Sequence, residues 1–300
     1  MTLDHAIGVR IPTSQFTSFV IPPNMDLIKL LKAWIWSWIN FTLAHAPLRL
    51  RSLMRIVPAV VPIDYPGVSI VVHSPTDYYV RRISAAKEPF TVKWIEAMKA
   101  GDVLYDVGAN VGTYSLIAAK HHRGKVRIYA FEPGYANYAA LCDNLKINAA
   151  SGEITAFPVA LGETTGTATF FYSDVTAAAS GHTLGEAVDY KQQPFAPAFS
   201  HQVLTWTLDE FIQQYRLPWP THLKIDVDGT EFGIFRGAPK TLERLQHLIV
   251  ELNERDSQFQ EVLAFLKNYG LSMTYRHEPF ELGPTPHPGV CNFHFSKTSS

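Results

Sequence analysis

Residues Val103 to Ser115 read Val-Leu-Tyr-Asp-Val-Gly-Ala-Asn-Val-Gly-Thr-Tyr-Ser, and no other stretch of the chain restricts its fold as much. The apolar run Val103, Leu104, Tyr105 and Val107 predicts a short buried strand. It leads into two glycines, Gly108 and Gly112, and then into a segment of helical character, Tyr114 to His121. A strand that breaks into a glycine-bearing turn and a helix is expected to bring free backbone N–H groups toward whatever sits above the turn. Asp106 adds a fixed negative charge at the strand end. Such a place suits a ligand that carries both an anionic group and a cationic or hydroxyl-rich one.

From Val103 onward strand and helix patterns alternate. Strands are predicted at 103–107, 125–131, 154–159, 222–227, 247–252, 271–276 and 290–296, with helices at 112–122, 135–149, 208–215, 231–245 and 257–268. This alternation predicts an α/β domain built on a mostly parallel sheet of seven strands, with helices on both faces. Near-continuous apolar strands such as Leu248-Ile249-Val250 fit burial on both sides. The alternation is interrupted between 160 and 206. There Thr167 to Tyr172 reads as an extra strand and Ser173 to Gly185 as a small-residue loop, of the kind that is functional or mobile inside a compact domain.

The first part of the chain reads differently. Residues 1–87 form an N-terminal extension, and the main domain is expected over 88–300, led in by helical spacing from Phe90 to Ala100. Within the extension, 57–80 is a proline-punctuated β lead-in. Met25 to Leu43 is helix-like and holds Trp34, Trp36 and Trp38, with Lys29 and Lys32 before its uncharged part and Arg49, Arg51 and Arg55 after it. The uncharged stretch is short for a span of roughly 20 apolar residues. Two readings stay open for 25–55: a helix packed on the domain, or peripheral contact with a membrane surface.

With 47% hydrophobic residues the chain has enough apolar surface for a sizeable core. A net charge of -1 supplies no basic balance to neutralise phosphates, so no nucleic-acid partner is expected. Cys142 and Cys291 have no metal-ligand spacing and form no disulfide framework. A cytoplasmic setting is expected, with membrane association as the variant that 25–55 leaves open.

The turn narrows the ligand. A dinucleotide fingerprint needs Gly-x-Gly-x-x-Gly. Counting from Gly108, the second and third glycine places hold Asn110 and Thr113, so the pattern fails. What stands is Asp-x-Gly-x-x-x-Gly, which suits a donor without a pyrophosphate, such as S-adenosylmethionine. Asp106, Gly108, Ala109, Asn110 and Gly112 are therefore the candidate donor-binding set. Glu132, at the end of the second strand, is placed to accept hydrogen bonds from a ribose diol. Ala160, after the third strand, is expected at the adenine edge.

Four segments together resemble the FkbM family of S-adenosylmethionine-dependent methyltransferases. They are Asp106-Val-Gly-Ala-Asn-Val-Gly112, Phe131-Glu-Pro133, Asn144-Leu-Lys-Ile-Asn148 and Lys224-Ile-Asp-Val-Asp-Gly-Thr-Glu231, with Gly237-Ala238 and Ile249-Val-Glu-Leu252 in the same pattern. The resemblance covers roughly residues 88 to 296. It implies a Rossmann-like class I methyltransferase fold and methyl transfer to a hydroxyl of a small-molecule or glycan acceptor. Where the family usually shows Glu, this chain has Asp228.

Lys224 to Glu231 is the second chemical centre. Alternation along a strand puts Lys224, Asp226 and Asp228 on one face. Asp226, Asp228 and Glu231 are the candidate catalytic carboxylates, as general base for the acceptor hydroxyl. A divalent metal held by Asp226, Asp228 and Glu251 is the alternative. His182, in the small-residue loop, is a further candidate base. Asn144 and Asn148 are expected to make helix-to-loop hydrogen bonds. An oxidoreductase of the nicotinamide type on the same fold, and a donor-binding protein docked on a membrane without catalysis, remain as alternative functions.

Overall fold

A computed structural model describes residues 59–188, 193–277 and 289–297, and the described residues form one compact unit. The tryptophan-rich stretch and the 25–55 membrane reading lie outside them. Among the described residues no helix is long and apolar enough to cross a membrane.

The chain opens with an antiparallel hairpin, β1 (Ala59–Pro62) and β2 (Ser69–Val72), followed by α1 (Pro75–Arg81), α2 (Ser84–Lys87) and α3 (Pro89–Glu96). The alternating part then begins with β3 (Val103–Val107), α4 (Thr113–His122), β4 (Arg127–Phe131), α5 (Tyr135–Ile147) and β5 (Ile154–Phe157). An inserted layer follows: β6 (Ala160–Leu161), β7 (Gly166–Tyr172), β8 (Thr183–Leu184) and β9 (Phe199–Trp206). The chain returns through α6 (Leu208–Tyr215), β10 (His222–Ile225), α7 (Glu231–Arg236), α8 (Pro239–Arg244) and β11 (His247–Asn253). It closes with α9 (Phe259–Asn268), β12 (Leu271–His277) and β13 (Val290–Lys297).

The main sheet has seven strands in the order β12-β13-β11-β10-β3-β4-β5. β11, β10, β3, β4 and β5 run parallel, and β13 lies antiparallel between β11 and β12. This is the doubly wound, Rossmann-like arrangement that the alternation predicts. The chain leaves β3 toward β4 and β5, then comes back to β10 on its other side. The carboxyl ends of β3 and β10 therefore flank the point where strand order reverses, the place where open α/β sheets hold ligands.

The period of two along β3 sorts its side chains between two cores. Val103, Tyr105 and Val107 join Leu223, Ile225, Leu248 and Val250 on one face. Leu104 faces the other way, with Ile117, Ile128 and Leu141. The hairpin belongs to this second core through Val68 and Ile70. Two asparagines of α5 clamp β2 to it. Asn144 Oδ1 accepts from Val71 N at 2.7 Å and its Nδ2 donates to the Val111 carbonyl at 2.9 Å. Asn148 meets both the N–H and the carbonyl of Ser69, at 2.9 and 2.6 Å. Of the helix-to-loop bonds expected here, only Asn144 reaches a loop, through Val111 in the β3–α4 turn; the other partners named are in strand β2, whose free edge offers backbone groups to α5.

Two predicted elements need correction. The helix expected over 231–245 is two helices, because Pro239 has no N–H to continue α7 and opens α8 instead. Gly237 sits at the break, where a Cβ would lie 2.2 Å from the Gly162 carbonyl oxygen. The strand expected over 222–227 ends at Ile225. Its continuation is a turn in which Asp228 has φ +55°, so strand alternation does not extend to that residue.

Candidate functional site

The reversal point holds a cleft of about 340 Å³, its open mouth included. Gly108, Pro133, Ala160, His182, Val227 and Thr230 are among its lining residues. The β3–α4 turn, the end of β4, the start of the inserted layer and the β10–α7 turn thus meet around one space. The sequence-predicted Gly108 and Ala160 lie in its wall. Phe170 and Leu184, from the inserted layer, line it as well. Neither has a motif, and only their place in the interruption of the alternation could have pointed to them.

The glycines of the β3–α4 turn are required by the protein itself. Gly108 has φ +75°, and a Cβ there would lie 1.9 Å from the carbonyl oxygen of Asp226. At Gly112, φ is +82° and a Cβ would lie 2.2 Å from Leu141 Cδ1. The expectation of free turn amides is not met. The N–H groups of Gly108 and Ala109 both donate to the Phe131 carbonyl at 3.0 Å, and Gly112 N donates to the Ala109 carbonyl at 2.8 Å. Asn110, at φ +51°, donates its N–H to Glu132 Oε2 at 2.8 Å. A ligand seated here is met by shape and side chains more than by these amides.

Glu132 joins two turns, because its other oxygen accepts from Gly134 N at 2.8 Å. Burial pushes its carboxyl up to about 7, against the backbone bonds from Gly134 and Asn110, which favour the charged form. Asp106 is almost fully buried. Its Oδ2 accepts from Ser115 Oγ at 2.7 Å, while its Oδ1 is buried with no hydrogen-bond partner.

Beside it stands Lys224, 3% exposed, with Nζ 3.0 Å from Asp226 Oδ2 and 3.8 Å from Asp106 Oδ1. Burial opposes the lysine's charge, but Asp226, Asp106 and Glu88 outweigh it and hold the ammonium protonated. The nearer carboxylate benefits most. Burial opposes ionisation at Asp226 too, yet Lys224 brings its pKa below the usual value. At Asp106 burial prevails over Lys224 and Ser115, and the pKa is raised.

The remaining acids of the β10–α7 turn are shifted the other way. Burial, with Asp226 next, pushes Asp228 up to about 6. Its Oδ2 accepts from Gly181 N at 2.8 Å. Glu231 opens α7 and accepts from Gly229 N at 2.9 Å, and burial raises it to about 7. Glu251 is held well above the usual range by burial and by Asp226 and Asp228. Among the described residues, no three Asp, Glu, His or Cys side chains are disposed to hold a metal ion.

His182 lies in the wall with Phe170 and Tyr172, ring centroids 5.8 and 4.9 Å apart. Its Nδ1 faces Ser173 Oγ at 3.3 Å, and burial lowers its pKa. The loop that carries it is tied down through its backbone. Ala179 O accepts from Asn110 Nδ2 at 3.0 Å and from Asn137 Nδ2 at 3.1 Å, and Ala178 N donates to Asn137 Oδ1 at 2.8 Å. Asn137 and Arg81 are site residues that the sequence did not single out, since an isolated Asn on a helix and an Arg in the lead-in carry no motif.

Comparison with known proteins agrees with this geometry. The Methyltransferase FkbM domain matches residues 106–273. The 31-O-demethyl-FK506 methyltransferase FkbM of Streptomyces tacrolimicus is 26% identical over 211 residues, covering 63% of this chain and 80% of that protein. The hexuronic acid methyltransferase AglP of Haloferax volcanii is 26% identical over 159 residues, covering 53% of this chain and 59% of that protein. Among solved structures, the precorrin-6y C5,15-methyltransferase of Geobacter metallireducens GS-15 superposes with a TM-score of 0.42 at 16% identity, over 70% of this chain and 87% of that one.

Proposed function

The chain belongs to the FkbM methyltransferase family and is an S-adenosylmethionine-dependent methyltransferase, and from that premise we propose how its cleft divides the work. The observation that carries the proposal is the cleft itself, which is lined by Gly108 of the donor turn, by Pro133 next to Glu132, and by Val227 and Thr230 of the acidic turn. The residues present fit the donor. Glu132 has acceptor capacity left for ribose hydroxyls, since the N–H groups of Asn110 and Gly134 and the Asn137 side chain use only part of its lone pairs. Pro133, Val159, Ala160, Phe170 and Leu184 supply an apolar slot of the kind an adenine ring fills. Asp106 Oδ1, buried without a hydrogen-bond partner and 3.8 Å from Lys224 Nζ, leaves an acceptor at the strand end for a cationic amino-acid end. When bound, the donor supplies an electrophilic methyl group on a sulfonium.

The acceptor is a hydroxyl of a glycan or a specialised metabolite, a reading supported by relatives whose names give 31-O-demethyl-FK506 and a hexuronic acid as what they methylate. Asp226, kept ionised by Lys224, supplies a fixed negative charge beside that hydroxyl, which favours the positive charge that develops on its oxygen as the methyl group arrives. Asp228, poised near neutrality, takes up the proton, because a base works best with a pKa close to the working pH. Asp228 is one methylene shorter than the family's usual Glu. Its left-handed backbone and its bond from Gly181 N set where its remaining lone pairs point. Glu231 holds the turn through Gly229 N, and His182 packs the adenine side of the wall as a neutral ring. Much of the rate comes from alignment, as for any reaction between two held partners. We place the methyltransferase domain at 88–300, with 1–87 as an extension, and leave peripheral membrane contact by 25–55 as a proposal on its sequence pattern.

A labelled-methyl assay over glycan and metabolite hydroxyls tests the reading. Transfer to a hydroxyl by the wild type, greatly reduced in Asp228→Asn and Asp226→Asn, is the expected result. Transfer to nitrogen or carbon acceptors only, or full activity in both variants, overturns it.

A further inference from the structure

Six non-glycine residues among those described have positive φ. Arg123, Ala149 and Arg216 sit at or just beyond the C-terminal ends of α4, α5 and α6, where left-handed backbone is ordinary. The other three are Asn110, Ala178 and Asp228, and all three meet at one place. Left-handed backbone at such residues persists only where the surroundings over-determine it. Here the surroundings are the tethers of segment 178–181. Asn110 and Asn137 bond to it from the donor side, and Asp228 receives its Gly181 N–H from the acidic side. The segment spans the two halves of the cleft, and the chain that follows it, His182 and Leu184, lines the wall.

One tether comes from outside the matched domain. Arg81, the last residue of α1, donates from one terminal guanidinium nitrogen to Asn110 Oδ1 at 3.1 Å and to the Ala178 carbonyl at 2.9 Å. Its Nε is anchored on Asp77 Oδ1 at 3.3 Å. Asp77 is fixed in turn, because its Oδ2 accepts from His73 N at 2.9 Å. The guanidinium is 17% exposed and cannot swing freely. It touches both the donor turn and the covering segment.

We propose that Arg81 is a positioning residue for the donor site: by joining Asn110 to Ala178 it holds segment 178–181 closed across the cleft and fixes the donor turn beneath it. The proposal rests on the donor reading above and extends it to a residue of the N-terminal extension. A planar guanidinium holds its Nε on Asp77 while a terminal nitrogen serves Asn110 and Ala178, whereas an ammonium on a flexible stem has no second nitrogen to anchor it, so lysine is a partial substitute only. Closure excludes water from the cleft, so loss of the tether acts first on donor retention.

The test is amide hydrogen exchange on the full chain, wild type, Arg81→Ala and Arg81→Lys, with and without S-adenosylhomocysteine, together with calorimetric affinities for that ligand. In the free protein, Arg81→Ala is expected to speed exchange across 176–184 by roughly tenfold and to weaken the ligand by a similar factor, as loss of charge-assisted bonds does. Exchange in β3 and β4 stays at the wild-type level, which separates a loosened segment from a generally destabilised fold. Arg81→Lys falls between the two. Unchanged exchange across 176–184 in Arg81→Ala overturns the proposal, as does loosening of that segment with wild-type affinity. If the wild type itself takes up no S-adenosylhomocysteine, the donor reading fails, while exchange in the free protein still decides whether Arg81 holds the segment.

Discussion

The two sides of the cleft solve the problem of buried charge in different ways. On the donor side Glu132 is handled by neutral partners, two backbone N–H groups among them, while Asp106 has the Ser115 hydroxyl and only the far end of Lys224, 3.8 Å away. On the acidic side Asp226, Asp228, Glu231 and Glu251 crowd one turn and its neighbouring strand, with the buried Lys224 close to Asp226. Neutral partners fix geometry without fixing charge, so Glu132 stays poised near neutrality. One lysine among several acids fixes charge unequally. It keeps Asp226 ionised and leaves its neighbours with raised pKa values, because burial disfavours their charged forms and the like charges around them add to that. The donor side is thus built to hold something, and the acidic side to hold one charge and exchange a proton.

Breaking the frame shared by both sides has the largest effect. Gly108→Ala puts a Cβ against the Asp226 carbonyl in left-handed backbone, and the expected cost is on the order of 5 kcal/mol with loss of donor binding, measured by denaturant unfolding. Lys224→Met removes the charge balance and is expected to cost about 3 kcal/mol near neutral pH. Its pH dependence has a definite sign. Without the lysine the folded pKa of Asp226 rises above its unfolded value, and that of Asp106, already raised, rises further. Stability is then fully present below the unfolded values and lost as pH rises through the folded ones, so the deficit shrinks in acid. A deficit that grows in acid contradicts the pairing. Asp226→Asn sharpens the contrast between the sides: turnover should fall roughly 100-fold while affinity for S-adenosylhomocysteine changes less than about threefold. Glu132→Gln should do the reverse, weakening the ligand about tenfold, because an amide must turn its NH₂ toward one of two N–H donors.

The alternation of strands and helices was legible because burial on both faces leaves a plain record in Leu248-Ile249-Val250 and Val103 to Val107. Asp106, Glu132 and Asp226 were legible for a similar reason: a carboxylate at the end of an apolar strand is costly unless it has work to do. The meaning of the turn glycines was only half legible. Their spacing marked the turn, but close approach to Asp226 and Leu141 requires them whatever is bound, and the amides they were expected to free are bonded within the protein. The break at Gly237 to Pro239 was written in the sequence and passed over, because the apolar period continues across it. The inserted four-stranded layer showed only its β7 strand, since β6 and β8 are two residues each and carry no period. Arg81 and Asn137 were illegible because their partners are backbone carbonyls and amides far along the chain, and a backbone partner leaves no trace in side-chain identity.

The central claim is that Glu132 receives the donor's ribose, and the affinity for S-adenosylhomocysteine as a function of pH tests it most directly. Hydroxyl donors favour the ionised carboxylate, and Glu132 titrates at about 7 in the free protein. Binding should therefore release a proton, and affinity should fall by roughly tenfold between pH about 8 and pH about 6 in the wild type. In Glu132→Gln the same profile should be flat. A wild-type profile with no slope, or a slope that survives the substitution, contradicts the account.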